Sequence, residues 1–320
     1  MGVRRQGLVA GGSRPALRPP RTGYPSAVGP LLKSLRPRQW VKNTVVFTGL
    51  VFSGRAADMG TLRDAGLAFL LFCAASSSVY LWNDLQDRER DRQHPVKKNR
   101  PIASGKLSPQ AAGIGCLLLA AGSLVLAKGP VFPAIAAYLV LHFLYSCWLK
   151  HVVLLDVFCI AGGFLLRILA GVWAIEAPLS PWLVACGAEL ALFFALCKRK
   201  NEVLTLGEDG ATARPLLTQY AGPGLDLMVG IAASATVVTY ALYTLLPGAL
   251  LQLEIVDSRA GMPGMVWTLP FVLYGILRYL HLVYNDLLGN RPNRALMTDL
   301  PTLLSLAGFA GVVAWVVYMP

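Results

Sequence analysis

Four oxygen-bearing side chains, Asn83, Asp84, Asp87 and Asp91, close an apolar run in the stretch "YLWNDLQDRERDRQHPVKKNRPIASGKL". Their spacing is N-D-x-x-D-x-x-x-D. If the preceding helix continues, offsets of three, four and seven put Asn83, Asp87 and Asp91 near one face, with Asp84 beside them. Carboxylates this close repel one another unless a cation sits among them. Hard oxygen donors suit Mg²⁺, which keeps waters and shares its shell with substrate phosphates. A magnesium-bridged diphosphate is the guest this pattern fits. A solvated helix end, with Arg88, Glu89, Arg90 and Arg92 in surface pairs, is the plainer alternative.

Two features weigh against that alternative. His94, Lys97, Lys98 and Arg100 follow at once and place cations beside the acids. A second charged group stands in "CKRKNEVL", with Lys198, Arg199 and Glu202, and Lys150 and His151 join it from an earlier loop. Arg167 lies inside the apolar run "GGFLLRILAG". A charge there is costly unless it is paired or faces water, and Glu189 in the next apolar segment is a candidate partner. Snorkelling to the interface accounts for Lys150 and Lys198 in a plainer way, and for Arg278.

The elements that position these groups are membrane spans. Of 320 residues, 55% are hydrophobic and 14% charged, and the mean hydropathy is +0.54. Too little polar surface remains to cover a soluble bundle. The apolar segments run to roughly 18–21 residues, the length that crosses a bilayer as a helix. The fold class is therefore all-α, a polytopic membrane protein. About nine spans are expected, with ends uncertain by a few residues: Gln39–Gly54, Ala65–Trp82, Ala111–Ala127, Val131–Trp148, Leu154–Ile175, Pro181–Leu196, Leu227–Leu246, Met265–Tyr284 and Pro301–Tyr318. Residues 1–30, rich in Arg, Pro and Gly, read as a flexible basic arm without the apolar stretch of a signal peptide. Residues 31–320 form a single transmembrane domain.

The net charge is +12. Basic residues border the apolar segments, which fits topology, anionic membrane lipids and anionic substrates, and no nucleic acid. The loops with the arm, Arg88–Lys106, Lys150, "CKRKNE", Arg291 and Arg294 outweigh the opposite set, which has Arg55, Arg63, Lys128 and Arg259. The first set is expected to be cytoplasmic, on a plasma membrane, with the N-terminus inside and the C-terminus outside. The six cysteines form no C-x-x-C pair and read as free buried thiols.

At N-D-x-x-D-x-x-x-D the sequence resembles the UbiA superfamily of intramembrane prenyltransferases. The resemblance implies nine helices around a central cavity, with metal-diphosphate motifs after the second and sixth. "LRPRQWVKN", "VYLWNDLQDRERDRQHPVKKNRPIASG", "YSCWLKHVVLLDVFCIAGGFLLRILAG" and "ALCKRKNEV" are similar to one branch, the decaprenyl-phosphate phosphoribosyltransferases. That branch implies Mg²⁺-dependent transfer of a 5-phosphoribosyl group from 5-phosphoribosyl 1-diphosphate to a polyprenyl phosphate lipid, for cell-wall arabinan precursors, with Asn83 and Asp87 as metal ligands and Asp84, Asp87 and Asp91 as catalytic residues. Carried onto matching positions, Lys42, Tyr80, Lys97, Lys150, His151 and Arg167 look like donor contacts, and Lys198 and Arg199 like contacts to the lipid phosphate. Arg36, Arg100 and Glu202 are weaker candidates. Asp156 is a candidate to orient a base or a metal-bound water, with a helix cap as its equal.

The sequence departs from the wider superfamily after the sixth span. Where a second acidic motif is usual, Lys198, Arg199 and Glu202 stand, followed by a loop with Glu208 and Asp209, and a basic site there suits an anionic phosphate. The competing readings are a prenyltransferase acting on an aromatic acceptor, a transporter using Arg167 and Glu189, and a non-catalytic lipid-binding scaffold. Near the C-terminus Asn285, Asp286 and Asp299 could mimic a metal site, though a helix end and a cap are the simpler account.

Overall fold

The computed structural model describes residues 28–94, 96–206, 216–246, 264–285 and 298–319. Most of the basic arm, and the expectations attached to Glu208, Asp209, Arg259, Asp286, Arg291 and Arg294, lie outside the described residues. All regular structure among those described is helical. The helices are α1 (Val28–Leu35), α2 (Thr48–Phe52), α3 (Met59–Gln86), α4 (Arg88–Gln93), α5 (Pro109–Leu126) and α6 (Val131–Cys147). They continue with α7 (Leu155–Ala174), α8 (Pro181–Leu206), α9 (Leu216–Tyr220), α10 (Pro223–Leu245), α11 (Leu269–Tyr284) and α12 (Leu300–Tyr318).

Local sequence sets where the long helices begin. Asp58 caps α3 by accepting from the Gly60 N–H at 2.9 Å. Ser108 caps α5, with Pro109 in the first turn, and Asp299 caps α12 by accepting from the Thr302 N–H at 3.0 Å. Asp299 is thus a cap, and it also pairs with Arg278 at 2.7 Å. Arg278 is held by a carboxylate rather than left to snorkel.

Among the described residues seven helical stretches are long and apolar enough to cross a membrane, and α6 is a shorter apolar helix of 17 residues. Helix α3 packs on α5 and α6, α7 on α6 and α8, α8 on α10, and α11 on α12. Outward faces stay apolar, as at Leu117, Val125 and Ile231, where hydrocarbon rather than water is the solvent. The chain is an integral membrane protein.

The first expected span, Gln39–Gly54, is not a single α-helix. It is an 11-residue 3₁₀ run, Pro37–Phe47, followed by α2. Pro37 and the β-branched Val41, Thr44, Val45 and Val46 lower α propensity there. The 3₁₀ run rises about 2.0 Å per residue, so it covers about 22 Å and α2 adds about 7 Å. That nears the ~30 Å of the hydrocarbon core. The segment runs antiparallel to α3, with Arg36 against Asp84 at one end and Leu50 against Ala65 at the other.

Close approach against α7 requires glycine. A Cβ on Gly171 would lie 1.8 Å from the Val46 carbonyl oxygen. Small residues at such contacts let helices meet where no hydrophobic effect drives them together. Gly171→Ala is expected to push the 3₁₀ run off α7 and lower the thermal unfolding midpoint in detergent by several degrees. Gly113→Ala, with open space around it, is the control and leaves the midpoint unchanged.

Candidate active site

Helix α3 ends at Gln86, and Asp87 links it to α4. The helical pattern survives the junction: the Asp87 N–H donates to the Asn83 carbonyl at 2.9 Å, and the Asp91 N–H to the Asp87 carbonyl at 2.8 Å. The four motif side chains nevertheless differ in environment. Asp84 is 2% exposed and accepts from Arg36 at 2.6 Å and from Arg100 at 2.9 Å, both on Oδ1. Asp91 is buried and accepts from the same Arg100 Nη1 at 2.6 Å. Repulsion between these two acids is relieved by arginine. Arg36 and Arg100, weak candidates for substrate contact, are committed to the motif itself.

Asn83 and Asp87 face outward instead. Both are half-buried, and Asp87 Oδ1 meets Lys150 Nζ at 2.8 Å. Asn83 Oδ1 accepts from Ser146 Oγ at 3.4 Å. Lys150 and the exposed His151 sit on a 3₁₀ turn, Leu149–His151, between α6 and α7. Lys97 lies close enough to Asp87, Asp91 and Glu202 to feel their charge. The end of α8 therefore comes to the same rim as the acidic motif. Burial, with Arg100 adding to it, pushes the Lys97 ammonium below the usual lysine range. His94 accepts the Val96 and Lys97 N–H groups on Nδ1, which shapes the turn that carries Lys97.

Lys42, Tyr80, Arg167 and Lys198 gather around the same mouth. Lys42 feels the positive charges of Lys198, Arg167 and Arg36. The Arg36 guanidinium lies 5.0 Å from the Tyr80 ring centroid. Arg36 is paired with Asp84, Lys198 lies 3.8 Å from Glu202, and Arg167 is buried, so Lys42 is the lysine among them with positive neighbours on several sides.

The two buried arginines serve different ends. Arg167 donates from Nε to Asn43 at 2.7 Å, from Nη1 to the Gly163 carbonyl at 2.7 Å, and from Nη2 to Tyr138 at 2.9 Å. The Tyr138 ring stacks on it at 4.6 Å. The expected Arg167–Glu189 pair does not form: Glu189 accepts from Thr239 on α10 at 3.1 Å instead. Asn43, a buried amide in the first segment, is the residue that answers Arg167. Arg199, expected at the lipid phosphate, is fully buried and held by Asp156 at 2.6 Å and Glu202 at 2.5 Å. Lys198, 46% exposed, remains accessible beside it. Asp156 is not the cap of α7 but a buried acceptor, also bound by the Tyr220 hydroxyl at 2.5 Å. Sequence reading passed over Tyr220, Asn43 and Tyr138. A buried amide inside an apolar segment was the one signal available.

An apolar cavity of about 390 Å³ lies among the first segment, α7, α8 and α10, and reaches Ala177, Pro178 and Ser180 in the α7–α8 connection, at the far ends of those helices from Asp156 and Lys198. Val45, Thr48 and Phe52 line it from the first segment, Phe164, Ile168 and Val172 from α7, Cys186, Leu190 and Phe194 from α8, and Tyr240 from α10.

Fold and rim together define a membrane transferase. Residues 44–305 match the UbiA prenyltransferase family, and the chain belongs to it. Over 313 residues it is 33% identical to the decaprenyl-phosphate phosphoribosyltransferase of Mycolicibacterium smegmatis, covering 96% of each chain. It is 35% identical to the enzyme of the same name from Corynebacterium glutamicum, covering 91% of this chain and 87% of that one. A UbiA homolog from Archaeoglobus fulgidus, solved with GPP and Mg²⁺, superposes with a TM-score of 0.64 at 18% identity, over 89% of this chain and 99% of that one.

Among the described residues no three His, Cys, Asp or Glu side chains converge as a metal cage. The donor set that does face the mouth is the Asn83–Asp87 pair, with a lysine ammonium already seated on Asp87. Two oxygen-donor side chains suit Mg²⁺, which takes few protein ligands and completes its shell with water and phosphate. The residues present fit that ion.

Removing one partner of a buried ion pair costs about 3–5 kcal/mol, and less where the pair touches water. Arg100→Ala is expected to lower the thermal midpoint in detergent by several degrees. Arg63→Ala, which breaks an exposed pair with Asp64, leaves the midpoint unchanged.

Proposed function

We propose that this chain transfers a 5-phosphoribosyl group from 5-phosphoribosyl 1-diphosphate to a polyprenyl phosphate with Mg²⁺, releasing diphosphate. The observation that carries the reading is the character of the α8 end. Lys198 and the Arg199–Glu202 pair stand there, beside Asp87 and Lys97, where a prenyl-diphosphate enzyme would be expected to hold a second acidic motif. The full-length similarity to enzymes named for this reaction supports it. The cell-wall arabinan role and a cytoplasmic active site on the plasma membrane belong to the same reading.

Roles follow from placement. Asn83 and Asp87 hold the metal, and Asp84 and Asp91, fixed by Arg36 and Arg100, set the helix that presents them. The bound ion would neutralise charge on the departing diphosphate. Lys150 and Lys97 bind the diphosphate oxygens, and Lys150 exchanges Asp87 for them when the donor arrives. Lys42, Tyr80 and His151 orient the phosphoribosyl group, with Arg167 adding positive potential from behind. Lys198 holds the lipid phosphate, and the apolar cavity takes part of the prenyl chain. The nucleophile is a phosphate oxygen, anionic at neutral pH, so no side chain need remove a proton. As the bond from ribose C1 to the diphosphate breaks, a lipid phosphate oxygen bonds to C1. Catalysis then rests on positioning and electrostatics.

The test uses the purified chain in detergent with labelled 5-phosphoribosyl 1-diphosphate, Mg²⁺ and a polyprenyl phosphate. Label is expected in the organic phase only when both Mg²⁺ and the lipid phosphate are present, and a chelator abolishes it. Asp87→Ala is expected to cut turnover by about 10²-fold or more. Lys198→Ala is expected to raise KM for the lipid phosphate more than for the donor. Turnover of a prenyl diphosphate with an aromatic acceptor, and none of the phosphoribosyl donor, would overturn the reading.

A further inference from the structure

Leu154 holds a backbone conformation that leucine rarely adopts, φ 67° and ψ −43°. The residue joins two functional parts. Before it lies the turn Leu149–His151, which carries Lys150 onto Asp87. After it α7 begins, and Asp156 in its first turn meets the fully buried Arg199 of α8. Non-glycine residues in such strained regions persist only where their surroundings hold them, and they cluster at functional sites.

One side chain does the holding. Tyr220 of α9, 3% exposed, accepts the Leu154 N–H on its hydroxyl at 2.9 Å. The same hydroxyl donates to Asp156 at 2.5 Å. It therefore ties the strained backbone to the Asp156–Arg199 pair with a single oxygen. Its ring is packed in the core between α7, α8 and α10, and Val153 packs on that core too. The anchor of the lysine turn is thus a residue 66 positions later in the chain.

We infer that Tyr220 is a positioning residue that holds Lys150 at the diphosphate site through Leu154. Without the hydroxyl, the loop relaxes toward negative φ at Leu154 and carries Lys150 off Asp87.

The full-length protein in detergent tests this with two readouts. The first is the acylation rate of Lys150 by acetic anhydride, followed by peptide mass spectrometry with the exposed Lys33 as reference. Tyr220→Phe, which keeps the ring, is expected to speed labelling of Lys150 about fivefold through easier local opening. Adding Leu154→Gly, for which positive φ carries no strain, is expected to return it to the wild-type rate. The second is the Kd for inorganic diphosphate with Mg²⁺. Tyr220→Phe is expected to weaken it about tenfold, and to add nothing in a Lys150→Ala background, since residues acting as one unit are non-additive.

Unchanged Lys150 labelling in Tyr220→Phe, or fully additive losses of diphosphate affinity, would overturn the inference. The diphosphate arm rests on the proposed function, and the labelling arm does not. A wild-type chain that binds no diphosphate would sink that function while labelling still decides the role of Tyr220.

Discussion

A buried carboxylate at the end of a membrane span is costly unless a partner meets it, and here two arginines meet two acids at once. Arg100 bridges Asp84 and Asp91, and Arg36 closes on Asp84 from the other side. That bracket fastens three parts of the chain to one another. Arg36 ties the first segment to the end of α3, and Arg100 ties the loop before α5 to α4. Asp87 is left out of the bracket and pairs with a lysine on a turn of its own. Fixed acids beside one exchangeable acid give a rim that is rigid in shape yet able to trade partners, which is what preorganised binding of a polyanion asks for.

Arg167 and Arg199 show how differently a bilayer can tolerate the same side chain. Arg199 is neutralised by two carboxylates and locks α7 to α8. Among the described residues Arg167 meets neutral oxygens and aromatic rings and no carboxylate, so its positive charge is not cancelled. A charge left uncancelled in a low-dielectric setting projects its field over a longer distance. It projects here toward Tyr80 and Lys42, the residues that line the mouth.

Much of this was legible in the sequence. The spacing of Asn83, Asp84, Asp87 and Asp91 and the hydrophobic run lengths give the helix, the rim and the spans, because both signals are local. Pairings between distant segments are not local. Nothing in "LRPRQWVKN" says that its first arginine closes on Asp84 or that its asparagine answers Arg167, and Glu189 looked the better partner by charge alone. Arg199 looked like a ligand because basic residues at a helix end usually face water. Its burial depends on Asp156, 43 positions away. Hydropathy also could not separate a 3₁₀ run from an α-helix in Gln39–Gly54, since both present apolar residues every three or four positions.

The 3₁₀ run has its own arithmetic. At three residues per turn, positions three apart fall on one line. Trp40 bonds to Ser77, Asn43 to Ser76 and Arg167, and Val46 lies against Gly171, all on one stripe facing α3 and α7. Lys42, Val45 and Thr48 form the next stripe, with Val45 and Thr48 on the cavity wall below the lysine. Losing or gaining a single residue anywhere between Pro37 and Phe47 would swing every later side chain by a third of a turn. The packing stripe would turn off α3 and α7, and a change ahead of Lys42 would carry that lysine away from its neighbours. Along this stretch the chain can exchange side chains but not change its length, except in steps of three.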